Sequence, residues 1–87
     1  MLYPYNFLRR YRLAAGLSQR EVADMLGLTR ADSISRWERG LRVPNPARLL
    51  ELSCLYRRLV NDLLHPQYLA AQKRIAARRQ ELNKSIE

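Results

Sequence analysis

One cysteine and one histidine are all this chain has of the residues that build disulfide frameworks and Cys/His metal centres, and beside five tyrosines it has only one phenylalanine and one tryptophan. The lone Cys54 excludes an intramolecular disulfide, and His65 has no second histidine to complete a Cys/His set with zinc-ligand spacing. The expectation is no metal, no cofactor and a chain suited to a reducing cytoplasm. Long hydrophobic runs are also missing. The longest, Leu13 to Leu17, has five residues, far short of the about 18–20 needed to cross a bilayer, and no apolar stretch near the start has the form of a signal peptide.

Acidic residues are scarce too, with eight Asp plus Glu against sixteen Lys plus Arg, a net charge of +8 and a pI near 10.6. Fourteen of the sixteen cations are Arg. The planar guanidinium fork matches phosphate and guanine edges better than a lysine point charge does, so the charge points to a polyanion and places nucleic acid first. Eighty-seven residues hold one core, burying about 60–65% of the unfolded surface. A binding module is the default, with little room for a multi-step active site.

Only five β-branched residues, Val22, Thr29, Ile34, Val43 and Val60, occur among the first 65, while Leu, Ala, Arg and Glu dominate, which predicts an all-α domain. Asn6 is placed to cap a first helix running to Ala15, with Gly16 where a left-handed terminal residue belongs. Ser18 and Glu21 form a capping box for a second helix, which turns Val22, Ala23 and Leu26 inward and stops at Gly27. Thr29 and Asp32 repeat that spacing and open a third helix, with Ile34 and Trp37 inward and a stop at Gly40. Asn45 as cap and Pro46 at the first helical position start a fourth helix through Leu49, Leu50, Leu52 and Leu55. Within it Cys54 reads as a small core residue.

Val60, Leu63 and Leu64 make a short fifth helix ending near His65, whose imidazole is placed to cap the last carbonyls. Tyr3 and Tyr5 are left to cover the core or to pack on a partner subunit. The expected architecture is a compact five-helix domain over 1–65 with a basic extension, helical or loosely ordered, over 66–87. The first part carries eleven Arg against six acids, net +5, and the second five cations against two acids, net +3. A thin apolar stripe in the extension supports two readings. It is a dimerisation helix using Tyr68, Ile75, Leu82 and Ile86, or a basic tail that adds phosphate affinity.

Two short helices on a tight turn, from Ser18 to Gly40, suggest a helix-turn-helix. Gly16-Leu17-Ser18-Gln19-Arg20-Glu21-Val22-Ala23, then Leu26-Gly27-Leu28, then Ile34-Ser35-Arg36-Trp37-Glu38-Arg39-Gly40 and Pro44 resemble the lambda-repressor-like family of DNA-binding domains, also called Cro-like or xenobiotic-response-element domains. The resemblance covers about residues 6–65, and several independent positions agree in order and spacing. Between Gly27 and Ile34, at Thr29-Arg30-Ala31-Asp32-Ser33, the chain is one residue longer than the commonest family pattern.

The resemblance implies a third helix, about residues 30–39, that enters the major groove. With Ile34 and Trp37 facing the core, Asp32, Ser35, Arg36 and Arg39 share the outward face. Arg36 is the first choice for base readout, since guanidinium to guanine O6 and N7 is the commonest specific contact. Ser35 can serve a base or a phosphate. Asp32 can accept from a cytosine amino group, although capping explains it more economically. Arg30, Arg39 and Arg42 are phosphate candidates, and Gln19, in the first turn of the second helix, is in the family a backbone anchor that can also buttress the recognition helix. Arg12 and Glu38 match a family pair that forms a scaffold salt bridge, whereas Arg9, Arg10 and Arg20 read as a solvated face.

The functional expectation is a sequence-specific regulator of double-stranded DNA, a cytoplasmic repressor that binds a palindromic operator as a homodimer. The alternative is an antitoxin that binds a protein toxin as well as its own operator. RNA binding is weaker, because an A-form major groove is too narrow for the helix, and a membrane helix at 66–87 lacks a Trp or Phe anchor. Catalysis is weakest, with no activated nucleophile, metal cluster or glycine-rich phosphate loop in the sequence.

Overall fold

Glycine sets the helix ends. A helix stops cheaply where the next residue adopts the left-handed conformation, and all three glycines do so, at φ +73, +73 and +72 for Gly16, Gly27 and Gly40. At Gly27 the last carbonyls are satisfied in pairs. Leu28 N–H donates to the Ala23 carbonyl at 2.8 Å and Gly27 N–H to that of Asp24 at 3.1 Å. The same two-bond motif recurs after Gly16 and Gly40.

In the computed structural model, which describes residues 6–86 and side chains from Asn6 to Lys84, the three glycines end the first three of six helices. The six are α1 (Leu8–Ala14), α2 (Gln19–Met25), α3 (Asp32–Glu38), α4 (Pro46–Tyr56), α5 (Val60–Leu63) and α6 (His65–Ile86). Tyr3, Tyr5 and the side chain of Ile86 lie outside the described residues. The chain is all-α, in the class expected.

Capping chemistry fixes the starts of α2 and α4. The Ser18 hydroxyl accepts from Glu21 N–H at 3.0 Å while the Glu21 carboxylate accepts from Ser18 N–H at 2.9 Å, and Asn45 Oδ1 accepts from Arg48 N–H at 2.9 Å ahead of Pro46. Two other starts differ from expectation. Asn6 lies one residue before the formal cap, Phe7, yet its Oδ1 accepts from Leu8 N–H at 3.0 Å, so the capping bond is made from the preceding position. Thr29 does not cap α3 at all: the cap is Ala31, with no side-chain bond, and Asp32 pairs with Arg30 instead.

Leu8, Val22, Ala23, Leu26, Ile34, Trp37, Leu52, Tyr56 and Leu63 form one core to which all of α1 to α5 contribute. Fully burying side chains such as Leu8, Ile34 and Leu52 contributes about 1.5–3 kcal/mol each. Cys54 is not among them. It is exposed, because two residues from Leu52 on a helix is about 200° of rotation, and Leu50 shares that outward face. Nor does His65 cap α5. It opens α6, and its ring stacks on Phe7 with centroids 5.9 Å apart.

Pro66 sits in the first turn of α6, where a missing N–H is tolerated. The helix has 22 residues, about 33 Å in length, and every residue from Gln72 to Lys84 is exposed. The radius of gyration, 15.9 Å, exceeds the about 12 Å of a compact chain of this length. α6 therefore projects from the globular part as an arm.

Candidate nucleic-acid interface

The orientation of α3 follows from its two apolar anchors. Ile34 and Trp37 are buried at 2% and 8% exposure, which turns the opposite face to solvent. Asp32, Arg36 and Arg39 are exposed there and Ser35 is half-buried. Among the described residues the guanidinium groups of Arg36 and Arg39 make no hydrogen bond or ion pair within the protein, and the same holds for Arg42 in the loop that follows. Arg30 is engaged. Its Nη2 lies 3.0 Å from Asp32 Oδ2, both side chains being exposed, a pair that solvent screens to about 0–1 kcal/mol and that opens easily.

One carboxylate ties three helices together behind this face. Arg12 Nε donates to Glu38 Oε2 at 2.6 Å and Arg12 Nη2 to Glu38 Oε1 at 3.1 Å, a two-point fork, while Arg12 Nη1 donates to the Leu17 carbonyl at 2.9 Å. The two side chains are 8% and 4% exposed. Gln19 Nε2, from the first residue of α2, donates to Glu38 Oε1 at 3.1 Å. Gln19 thus buttresses the end of α3 directly. Since Glu38 closes α3, where the helix dipole disfavours an anion, the Arg12 cation offsets an otherwise poor placement.

The same cluster perturbs its neighbours. Hydrogen bonding to Glu38 raises the Arg12 guanidinium above its ordinary value despite desolvation. Burial, and secondarily the Glu38 charge, push the Tyr56 phenol well above the usual tyrosine range, with Arg12 opposing. Arg12 therefore stays charged and the Tyr56 phenol neutral across the physiological range.

Several positioning contacts join segments far apart in sequence, and two, Arg20–Asp24 and Arg48–Glu51, follow the i,i+4 and i,i+3 spacing of a helix face. Asn6 Nδ2 donates to the Trp37 carbonyl at 2.8 Å, linking the start of α1 to the end of α3. Arg48 Nη1 donates to the Leu26 carbonyl at 2.8 Å and pairs with Glu51 at 2.9 Å. Arg10 and Arg58 lie over the rings of Phe7 and Tyr11, 4.3 and 5.0 Å from the centroids. Arg20 holds Asp24 at 3.2 Å and donates to the Thr29 carbonyl at 3.3 Å, and both Arg10 and Arg20 remain exposed. Among the described residues no group of three or more His, Cys, Asp or Glu could hold a metal ion, and no helix is long and apolar enough to cross a membrane.

A short helix buttressed from behind, with unengaged arginines on its outward face and a second helix packed across it, defines a helix-turn-helix DNA-binding domain. The helix-turn-helix family profile matches residues 8–61, from α1 into α5, and the chain belongs to that family, in its lambda-repressor-like branch. It is accordingly a DNA-binding transcription regulator. Among curated proteins none matches the chain.

Proposed function

We propose that this regulator is a sequence-specific repressor that binds a palindromic operator as a homodimer, with α3 in the major groove. The observation that carries the reading is the pair of unengaged guanidinium groups, Arg36 and Arg39, on the face of α3 opposite Ile34 and Trp37. Arg36 reads a guanine through O6 and N7. Ser35 and Asp32 are its neighbours for base contact, Ser35 by its hydroxyl and Asp32 by accepting from a cytosine amino group once Arg30 has turned to phosphate. Arg30, Arg39, Arg42 and Gln19 hold the backbone and set the register of the helix without specifying sequence.

Gln19 serves in both capacities. One N–H binds Glu38, and its remaining amide capacity lies at the start of α2, where free backbone N–H groups favour an anion. Repression follows from occupancy alone, because a bound dimer occludes the operator, whereas activation requires a further contact with polymerase. A cytoplasmic site of action fits a chain whose one cysteine, Cys54, is free of a disulfide.

Equilibrium binding to one selected duplex separates the two kinds of arginine. Arg36→Ala is expected to lose about 1–3 kcal/mol of discrimination at one base position and little elsewhere. Arg42→Ala is expected to weaken all duplexes alike and to reduce the slope of log K against log salt by about 0.9. Equal, sequence-independent losses for both variants would contradict the base-reading role of Arg36.

A further inference from the structure

The exposed stripe of α6 is symmetric about its own centre. Tyr68, Ile75 and Leu82 are seven residues apart and 43%, 59% and 57% exposed. A seven-residue step returns within about 20° of the same direction, so three large apolar side chains stand in line along about 21 Å of helix. Beside them runs a shallow groove lined by Tyr68, Ala71, Gln72, Ile75, Ala76 and Arg79. It contains two overlapping sets at i, i+3, i+4 and i+7, the arrangement that receives a knob from a facing helix.

We propose that α6 pairs antiparallel with α6 of a second copy, about a two-fold axis at Ile75, and that this pairing sets the spacing of the two DNA-reading heads. The spacing clause rests on the operator reading above; the pairing does not. An isologous contact requires that if one residue meets another, the second meets the first. Centred on Ile75, the antiparallel arrangement sets Tyr68 opposite Leu82 and Ile75 opposite itself. It also sets Ala71 beside Arg78 on one flank and Gln72 beside Arg79 on the other, each within one residue along the axis, so small or neutral positions receive the long arginine stems, whose charged ends reach solvent.

Charge selects the orientation. In a parallel pair Arg78 and Arg79 meet their own copies in one layer, four guanidinium groups across helices about 8–10 Å apart, with no carboxylate in the stripe. In the antiparallel pair Arg78 and Arg79 lie six and eight residues from their counterparts along the axis, about 9 and 12 Å, beyond a Debye length of about 8 Å. Lys73 and Lys84 point about 160° and 180° away from Ile75 and stay in water; Arg74 lies only about 3 Å from its counterpart along the axis but points about 100° from Ile75, on the solvent side of the seam. Arg79 also comes within one turn of the Tyr68 ring of the second copy, where a guanidinium is attracted.

The same geometry carries the heads apart. With the axis at Ile75, the two His65 residues that begin α6 lie twenty residues apart along the pair, about 30 Å. That separation is close to the about 34 Å between half-sites one helical turn apart. A parallel pair would bring both heads to the same end.

Disulfide trapping in the full chain, with Cys54→Ser as background, tests the pairing. Tyr68→Cys and Leu82→Cys should each crosslink poorly alone and several-fold better when mixed, while Ile75→Cys crosslinks alone. Ile75→Asp, with its circular dichroism unchanged, should sediment as a monomer. Self-crosslinking of Tyr68→Cys equal to the mixture would overturn the orientation. A wild type that sediments as a monomer with no crosslink through Ile75→Cys would overturn the pairing, leaving the stripe to an acidic helix of another protein. A chain that crosslinks between positions 68 and 82 yet selects no DNA sequence would remove the operator reading and leave the pairing standing.

Discussion

Arg12 turns its guanidinium inward, and that decides which arginines are left to face a ligand. Three bonds reach Glu38 and Leu17, from side chains almost fully removed from water. Removing one partner leaves a buried charge uncompensated, so Arg12→Ala or Glu38→Ala should lower the unfolding free energy in urea by about 3–5 kcal/mol. Arg12→Met combined with Glu38→Leu should lose far less, since no charge is stranded. A loss below about 1 kcal/mol for either single variant would place the pair among solvent-screened surface bridges. The Arg12–Glu38 match came from the family resemblance, and no local pattern carries it, because the residues are 26 apart in sequence. The contact of Arg48 with the Leu26 carbonyl and the placement of Tyr56 beside Arg12 and Glu38 carry no local pattern either, because each joins segments far apart in sequence.

At the scale of single helices, local chemistry was the better guide. Ser18 with Glu21, Asn45 with Pro46, and the three glycines mark helix ends that the structure places within a residue or two. Ser18→Ala should therefore cost about 1 kcal/mol in a melting experiment, while Thr29→Ala, at a position that caps nothing, should stay within about 0.5 kcal/mol. A comparable loss at both would contradict the assignment of Ala31 as the α3 cap.

Glu21 adds a pH dependence. Its bonds to Ser18 hold its carboxyl below the ordinary value of 4.5, so its stabilising effect is present above that value and fades as pH falls through the lowered one. Glu21→Gln should flatten that acid limb. The lengthened turn at Thr29 to Ser33 concealed the α3 cap, since a spacing rule cannot see where the extra residue goes. The end of α4 lacked its usual marker because Arg57, not glycine, adopts the left-handed conformation at φ +53. Cys54 has apolar neighbours in sequence, which suggest a core position, but helical rotation from Leu52 turns it outside.

The whole molecule is an elongated, strongly basic body, 54 × 27 × 20 Å, with a buttressed head and a projecting arm. A single short recognition helix reads too few base pairs to find one site in a genome, and in the proposed dimer a second copy on a symmetric site supplies the remainder. Ile75→Asp should accordingly reduce affinity for an inverted repeat toward that for one half-site while keeping the base preference within the half-site. The most direct test of the account is selection of bound duplexes from a random pool at near-physiological salt, run in parallel with wild type and Arg36→Ala. The account predicts an enriched inverted repeat with half-sites centred about one helical turn apart, degraded by the variant chiefly at one guanine. Binding that enriches no motif and vanishes with rising salt, as sequence-independent phosphate contacts do, would contradict it.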